Sequence, residues 1–324
     1  MFKKLGVYIL TYNRLQYLKK TIQCVLNQTY KDFDFYIVDN NSDDGTQEYI
    51  ESLKNININY IRHEKNLGGL LNIKYAFEHN KNEYFIMLHD DDIFDDKLLE
   101  VEVNYLDNHK TVSCVTCDSY VIDVNDKILV KTERSNRERH FSIDGYLRFF
   151  VFERKSLCFP TTMYRNSFFK NGKQFFLDEA GPCMDVVFYM NVERYGGTTV
   201  FIPEHLYSSR AHEKQDSQVN HFAMYVKLMK FLYTDKYYAD KFEKNRDIDK
   251  AYFRFNTNFF LIRLFKGFIG YEYVCEVYKC IDENLPRIYF CHYRNKVLLK
   301  LYHLCPNLIK FLYNVFETRI KRKV

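Results

Sequence analysis

Tyr84-Phe85-Ile86-Met87-Leu88-His89-Asp90-Asp91-Asp92-Ile93-Phe94 joins an unbroken apolar run to three consecutive carboxylates. Tyr84 to Leu88 show no polar alternation, the pattern of a strand buried on both faces of a parallel sheet. Asp90, Asp91 and Asp92 follow where such a strand gives way to a loop. Adjacent carboxylates repel one another, and a fold tolerates them when solvent or a cation neutralises the charge. Hard oxygen ligands at the carboxyl end of a parallel strand suit Mg²⁺ or Mn²⁺ that also carries substrate phosphates. The other reading is a solvated acidic loop capping a helix that starts near Asp95 or Asp96.

Outward from this stretch, strands and helices alternate. Leu5–Leu10 reads as a first strand with Thr11-Tyr12-Asn13-Arg14 as its exit loop. Leu15, Leu18, Ile22 and Val25, at spacings of three and four, describe an amphipathic helix. Phe33–Val38 is a second strand, and the polar loop from Asp39 to Thr46 leads into a helix over Gln47–Leu53. Ile56–Ile61 alternates as a third strand, and after Asn66-Leu67-Gly68-Gly69 a helix runs to about His79. A helix over Lys97–Asn108 and a strand over Thr111–Thr116 follow. This alternation predicts a mostly parallel sheet with right-handed crossovers, whose ligands sit beyond the carboxyl ends of the strands. The polar loops after the first, second and central strands all fall at that edge.

Beyond Tyr120 the pattern changes. A hairpin is expected over Val121–Val130 around Asn125-Asp126, and a short helix over Phe141–Phe152. A further helix is expected over Gly181–Tyr195, and a strand over Thr198–Ile202. From about Asp216 helical spacing dominates, so the chain divides into an α/β domain, 1–218, and a smaller, mainly α-helical C-terminal region, 219–324.

Nine cysteines, an odd number without regular spacing, argue against a disulfide framework and for a reducing cytoplasm. Cys114-Val115-Thr116-Cys117 has no second pair at zinc-site spacing and reads as two buried strand residues. The apolar run after Lys3 and Lys4 is too short for a signal peptide. No uncharged run approaches the ~18 apolar residues of a membrane span. The net charge of +5 hides an asymmetry. From Pro286 onward nine basic residues (Arg287, Arg294, Lys296, Lys300, Lys310, Arg319, Lys321, Arg322, Lys323) face one acid, Glu317, a local +8 that leaves −3 for the rest. Ile309, Leu312, Phe316 and Ile320 share a helical face there, with Pro306 breaking or starting the helix. Such a basic amphipathic segment either lies on an anionic membrane surface or packs on the protein with its charges solvated. No nucleic-acid-binding pattern accompanies the charge.

The ordered motifs resemble those of family 2 glycosyltransferases. Ile9-Leu-Thr-Tyr-Asn-Arg14 is similar to that family's opening strand and loop, and Val38-Asp-Asn-Asn-Ser-Asp-Asp-Gly-Thr46 to its second loop. Asn66-Leu-Gly-Gly69 and Leu88-His-Asp-Asp-Asp-Ile93 follow at suitable distances. Phe176-Leu-Asp-Glu179 and Met184-Asp185 stand where an acidic acceptor-side motif is expected, and Ser209-Arg-Ala-His-Glu-Lys-Gln-Asp-Ser217 resembles the Arg-x-His-x-x-Gln-x-Ser segment. Together these pieces cover roughly the first two thirds of the chain. The chain departs from the family twice. The usual Asp-x-Asp fits either with His89 at its first position or as Asp90-Asp91-Asp92, and the usual Glu-Asp pair is Met184-Asp185.

The resemblance implies a GT-A fold, a Rossmann-like sheet with flanking helices, and a nucleotide-diphosphate sugar as donor. The reaction it implies is an inverting single displacement by the hydroxyl of a glycan or lipid-linked acceptor, of the kind that builds surface polysaccharide. It places the enzyme in the cytoplasm, working at the inner face of the membrane. It implies a divalent cation, Mg²⁺ or Mn²⁺, on Asp91 and Asp92 with help from His212. Thr11, Tyr12, Asn13, Arg14, Asp39, Asn41, Asn66, Gly69, Asp90 and Arg210 would contact the donor. Asp39 would hydrogen-bond the base, and Tyr12 would offer a flat face for stacking. Asp185 would be the catalytic base, with Glu179 in reserve. Two rivals stand beside this reading. A sugar-1-phosphate nucleotidyltransferase shares the plan but needs a glycine-rich basic first loop, which Thr11–Arg14 is not. A non-catalytic sugar-nucleotide-binding scaffold draws support from Met184.

Overall fold

The computed structural model describes residues 2–54, 56–153, 155–170, 173–176, 183–212, 228, 230–248, 261–262, 264–265, 271–284, 290–310 and 313. Glu179, most of the segment after His212, and Leu312, Phe316 and Ile320 of the tail lie outside the described residues.

The strands β1 (Leu5–Thr11), β2 (Phe33–Asp39), β3 (Ile58–Arg62) and β4 (Tyr84–His89) form the parallel half of one mixed sheet. The full strand order is β3-β2-β1-β4-β9-β6-β10-β5, with β7 beside β6 and β8 beside β10. Here β5 is Ile93–Phe94, β6 Cys114–Ile122, β7 Ile128–Lys131, β8 Arg139–Phe141, β9 Met163–Arg165 and β10 Thr199–Arg210. β9 runs antiparallel to both β4 and β6, while β6 and β10 are parallel. Helices α1 (Leu15–Asn27), α2 (Thr46–Ser52), α3 (Gly69–His79) and α4 (Leu98–Asn108) provide the crossovers.

Period-2 strands and period-3.6 helices bury complementary surfaces here. Leu18, Ile22 and Val25 of α1 join Leu98, Leu99, Val103 and Leu106 of α4 over Val7, Ile9, Ile86 and Leu88 in one apolar core. The opposite face is aromatic: Phe77 meets Phe85 at 4.9 Å between centroids, and Tyr164 and Phe169 pack around them. Both faces of the sheet are therefore covered, which is why Tyr84 to Leu88 are all buried.

Three expectations shift. The strand predicted over Thr111–Thr116 runs instead from Cys114 to Ile122, because its polar residues are partnered: Thr116 bonds Thr161, and Asp118 bonds Thr132 and Arg134. The strand predicted to end at Ile202 runs on to Arg210, with register shifts around His205 absorbing Pro203 and Glu204. The helix expected over Phe141–Phe152 is Gly145–Arg148 followed by a turn of π-helix, Phe149–Glu153. Cys114 and Cys117 are free, buried residues of β6.

The chain divides into two compact units. The first comprises Met1–Leu147, Lys155–Phe176 and Asp185–Gln215; the second comprises Arg148–Arg154, Leu177–Met184 and Asp216–Val324. The second contains the helices Lys236–Lys244, Tyr271–Asn284 and Phe290–Leu304. Asp235 caps the first of these by accepting from the Tyr237 and Tyr238 amides. Leu299 and Tyr302 are buried on one side of the last, and Lys296 pairs with Asp282 at 2.6 Å. Among the described residues no helix is long and apolar enough to cross a membrane.

Candidate active site

Strand register builds the site. Thr11 pairs with Asp39, Asp39 with Arg62, and Leu10 with His89, so the ends of β1 to β4 line up. The loops they release are bonded to one another. The Asn13 amide donates to Ser42 Oγ at 2.9 Å, the Asp43 amide to Asn13 Oδ1 at 2.8 Å, and the Leu15 amide to Asp44 Oδ2 at 2.8 Å. Asn13 and Asn41 both adopt positive φ, 52° and 69°, a region asparagine tolerates.

The three aspartates are not a solvated cap. Asp90, Asp91 and Asp92 are 1%, 4% and 2% exposed. Asp90 accepts from Thr11 Oγ1 at 2.7 Å and from Arg14 Nη1 at 3.1 Å. Asp91 lies 3.1 Å from Arg14 Nη1 and 2.9 Å from His212 Nε2. Asp92 accepts from the Tyr207 hydroxyl at 2.8 Å and the Arg210 amide at 2.7 Å. Thr21, buried on α1, donates to the carbonyls of both Asp90 and Asp92.

Burial pushes Asp90 up to about 6 against the pull of Arg14. Asp92 rises to about 7, through burial first and the Asp91 charge second. Asp91 moves the other way: burial opposes it, but His89, Arg14 and His212 together hold it below the ordinary carboxylate range. Two raised carboxyls around a lowered one are a set whose full ionisation calls for added positive charge. The ligand atoms of His89, Asp91 and Asp92 lie within 4.8 Å of one another, the one such group found among the described residues. Two carboxylates and an imidazole fit a hard or borderline divalent cation.

The other predicted residues are placed as follows. Tyr12 is 43% exposed beside this edge. Asp39 is enclosed: Oδ1 accepts from Ser42 Oγ at 2.6 Å, Oδ2 from the Tyr60 hydroxyl at 2.5 Å, and Arg62 Nε stands 3.6 Å away. It orders the wall of the edge more than it presents a face. Asn66 Oδ1 accepts from Asn40 Nδ2 and the Gly68 amide, and a side chain added at Gly69 would meet open space. Arg210, expected at the donor, is 1% exposed and its guanidinium donates to protein oxygens, the Asp91 carbonyl at 2.8 Å among them. Asp185 opens the helix Met184–Arg194, partly exposed, and burial raises its carboxyl above the ordinary range against the pull of backbone amides in its own turn. The geometry that would bring Asp185 to the aspartate group is not a direct bond: Asp90, Asp91 and Asp92 take their partners from β1, α1, β10 and the loops beside them.

Sequence reasoning left one supporting residue open and missed two. His89 stood at the first position in one of the two registers of the motif. Thr21 sat inside an ordinary amphipathic pattern, and Tyr207 reaches Asp92 through a pairing of β10 with β5 that no local pattern announces.

A family model for glycosyl transferase family 2 matches residues 6–173. An uncharacterized glycosyltransferase of Methanocaldococcus jannaschii is 35% identical over 128 residues, 38% of this chain and 44% of that protein, so the match spans less than half of that relative's length. An uncharacterized glycosyltransferase of Haemophilus influenzae is 23% identical over 225 residues, 67% of this chain and 68% of that one. The fold is similar to crystal structures of S. aureus TarS. The TarS 1–349 complex with UDP-GlcNAc superposes with a TM-score of 0.64 at 16% identity, covering 93% of this chain and 91% of that one. The complex with UDP gives 0.57 at 18% identity, over 79% and 72%. The architecture is the GT-A type, a mixed sheet with its acidic edge and a helical region after it. The chain belongs to glycosyltransferase family 2.

Proposed function

We propose that the chain transfers a sugar from a nucleoside diphosphate sugar to an acceptor hydroxyl by a metal-assisted single displacement with inversion. The carrying observation is the locked edge on which Thr11 links Asp39 to Asp90 beside the His89, Asp91 and Asp92 donor set. The nucleotide complexes of the TarS neighbour make UDP sugars the first donors to test.

Asp91 and Asp92, with His89 or His212, would hold Mg²⁺ or Mn²⁺. The cation, when bound, would stabilise negative charge on the departing diphosphate oxygen. Arg14 shares the charge of Asp90 and Asp91. Asp39 keeps Ser42, Tyr60 and Arg62 in place as a wall for base and ribose, with Tyr12 as its stacking face. Asn13, Asn41, Asn66 and Gly69 line the loops around the donor. Asp185, or Glu179 from the same acidic segment, takes the acceptor proton as the acceptor oxygen bonds to the anomeric carbon and the diphosphate oxygen leaves. The test is thermal shift and nucleotide release with UDP, GDP, dTDP and CMP sugars plus Mn²⁺. One donor should stabilise the protein only when the metal is present; no metal-dependent response to any donor would overturn the reading.

For the acceptor we propose a lipid-linked or surface glycan met at an anionic membrane face, from the cytoplasmic side. Val297, Leu301 and Leu304 of the helix Phe290–Leu304 are 56%, 44% and 74% exposed at spacings of four and three, and Leu308 beyond its end is 54% exposed. Lys300 is exposed beside them, and the surrounding sequence is strongly basic. Liposome co-sedimentation with Val297, Leu301 and Leu304 changed together to Asp should lose binding to anionic vesicles, and equal binding by both proteins would sink the idea.

A further inference from the structure

The turn between β6 and β7 has no part in the chemistry above, yet it is bonded into the aspartate loop. Asp126 sits in that turn at φ 67°. Its Oδ2 accepts from Lys20 Nζ at 2.7 Å, and its Oδ1 pairs with Arg210 Nη2 at 2.5 Å. The Asp123 carbonyl accepts from Arg210 Nη1 at 2.8 Å. The same guanidinium donates through Nε to the Asp91 carbonyl at 2.8 Å and lies 5.0 Å over the Tyr17 ring. Its own backbone amide donates to Asp92 Oδ1 at 2.7 Å. One arginine thus ties the hairpin to both proposed cation ligands.

We infer that Asp126 is a positioning residue for the candidate cation site, acting through Arg210 on Asp91 and Asp92. The inference rests on the metal reading given under Proposed function. A buried guanidinium requires a counter-charge, and removing one partner leaves the other uncompensated. Asp126 supplies that charge from the side away from the ligands. Without it, Arg210 loses a charged partner, and the hold it keeps on the Asp91 carbonyl and, through its amide, on Asp92 Oδ1 loosens. The Lys20 contact is of a different kind, since both of its partners are well exposed and such pairs contribute little.

The test compares the wild-type chain with Asp126→Ala, Asp126→Asn and Lys20→Ala, reading Mn²⁺ affinity by electron paramagnetic resonance without donor, and hydrogen exchange in peptides spanning 86–96. Outer-shell changes typically weaken metal binding 10–100-fold, so Asp126→Ala should lose about tenfold, Asp126→Asn less, and Lys20→Ala almost nothing. Exchange over 86–96 should quicken in the same order with no metal present. Unchanged exchange and affinity in Asp126→Ala, or an equal loss in Lys20→Ala, overturns the inference. If the alanine variant does not fold, the asparagine variant carries the comparison. A wild type that binds no Mn²⁺ sinks the metal reading instead, and the metal-free exchange data still decide whether Asp126 positions the loop.

Discussion

Two sets of buried carboxylates flank the start of α4, and their surroundings treat them oppositely. Asp90, Asp91 and Asp92, just before the helix, are met by Thr11, Arg14, Tyr207, the Arg210 amide and His212. Glu102, one turn inside it, is fully buried, and among the described residues neither of its carboxyl oxygens has a hydrogen-bond partner. Burial alone raises its pKa well above the usual value. In the first set donors and neighbouring positive charge offset part of the burial, lowering Asp91 and limiting the rise of Asp90 and Asp92. The second shares α4 with Leu98, Leu99 and Val103 of the apolar core, and among the described residues no donor meets its carboxyl. Burial by itself does not mark a functional acid; the donors aimed at it do.

The sharpest way to break this contrast is Asp91→Asn. It keeps volume and one acceptor but removes the charge shared by Arg14 and His212. If that charge anchors the cation, several kcal/mol of leaving-group stabilisation disappear. Turnover should then fall about 10³-fold, each tenfold being 1.4 kcal/mol, while the fold survives. Steady-state sugar transfer with the best donor measures it, and turnover within tenfold of wild type would break the contrast.

Asp185 is the intermediate case, and the next largest effect is expected there. It resembles Glu102 in having its pKa raised by burial, and differs from it in reaching the surface. In the proposed role of base it would work only when ionised, so activity should rise with pH through a value above the ordinary ~3.9 of an aspartate. Asp185→Asn should lower kcat by about 10²-fold or more and remove that acid limb, with donor affinity retained. An unchanged pH profile would move the role to Glu179 or exclude it from the acidic segment altogether.

How far the sequence could be read follows from the range of the forces involved. β1 to β4 and α1 to α4 were legible because their apolar patterns, unbroken in β4 and periodic in α1, are local, and the polar loops could be assigned to one edge from topology. β9, three residues long, carries no period; it exists because β4 and β6 hold it from both sides. The extension of β10 to Arg210 depends on bulges and on pairing with β6 and β5, which are long-range facts. The same limit applied to the site. Asp91 and Asp92 were visible as a cluster, whereas Tyr207, Thr21 and the hairpin tie to Arg210 are contacts between residues far apart in the chain. The local motif placed Arg210 near the site, but not that its guanidinium is buried against the Asp91 carbonyl.

The smallest effect should appear at Glu102. Glu102→Met exchanges an unpartnered carboxyl for an apolar chain of similar length inside an apolar cluster. Leaving a buried polar group unsatisfied costs about 1–3 kcal/mol, so the variant should be more stable by that order, with transfer activity unchanged. The pH dependence gives the second readout. The folded pKa lies above the unfolded value of ~4.3, so below that pH both states carry the proton and the wild type suffers no ionisation penalty. As pH rises toward the folded pKa, the unfolded state ionises first and wild-type stability declines by up to about 1.4 kcal/mol per unit. The methionine variant has no such proton to lose. Urea unfolding of the metal-free proteins should therefore show a gap that widens as pH is raised above the unfolded carboxyl's ~4.3. A gap that stays flat, or a variant less stable than wild type, would mean that Glu102 keeps its charge through a partner, and the contrast between the two sets of acids would fail at its neutral end.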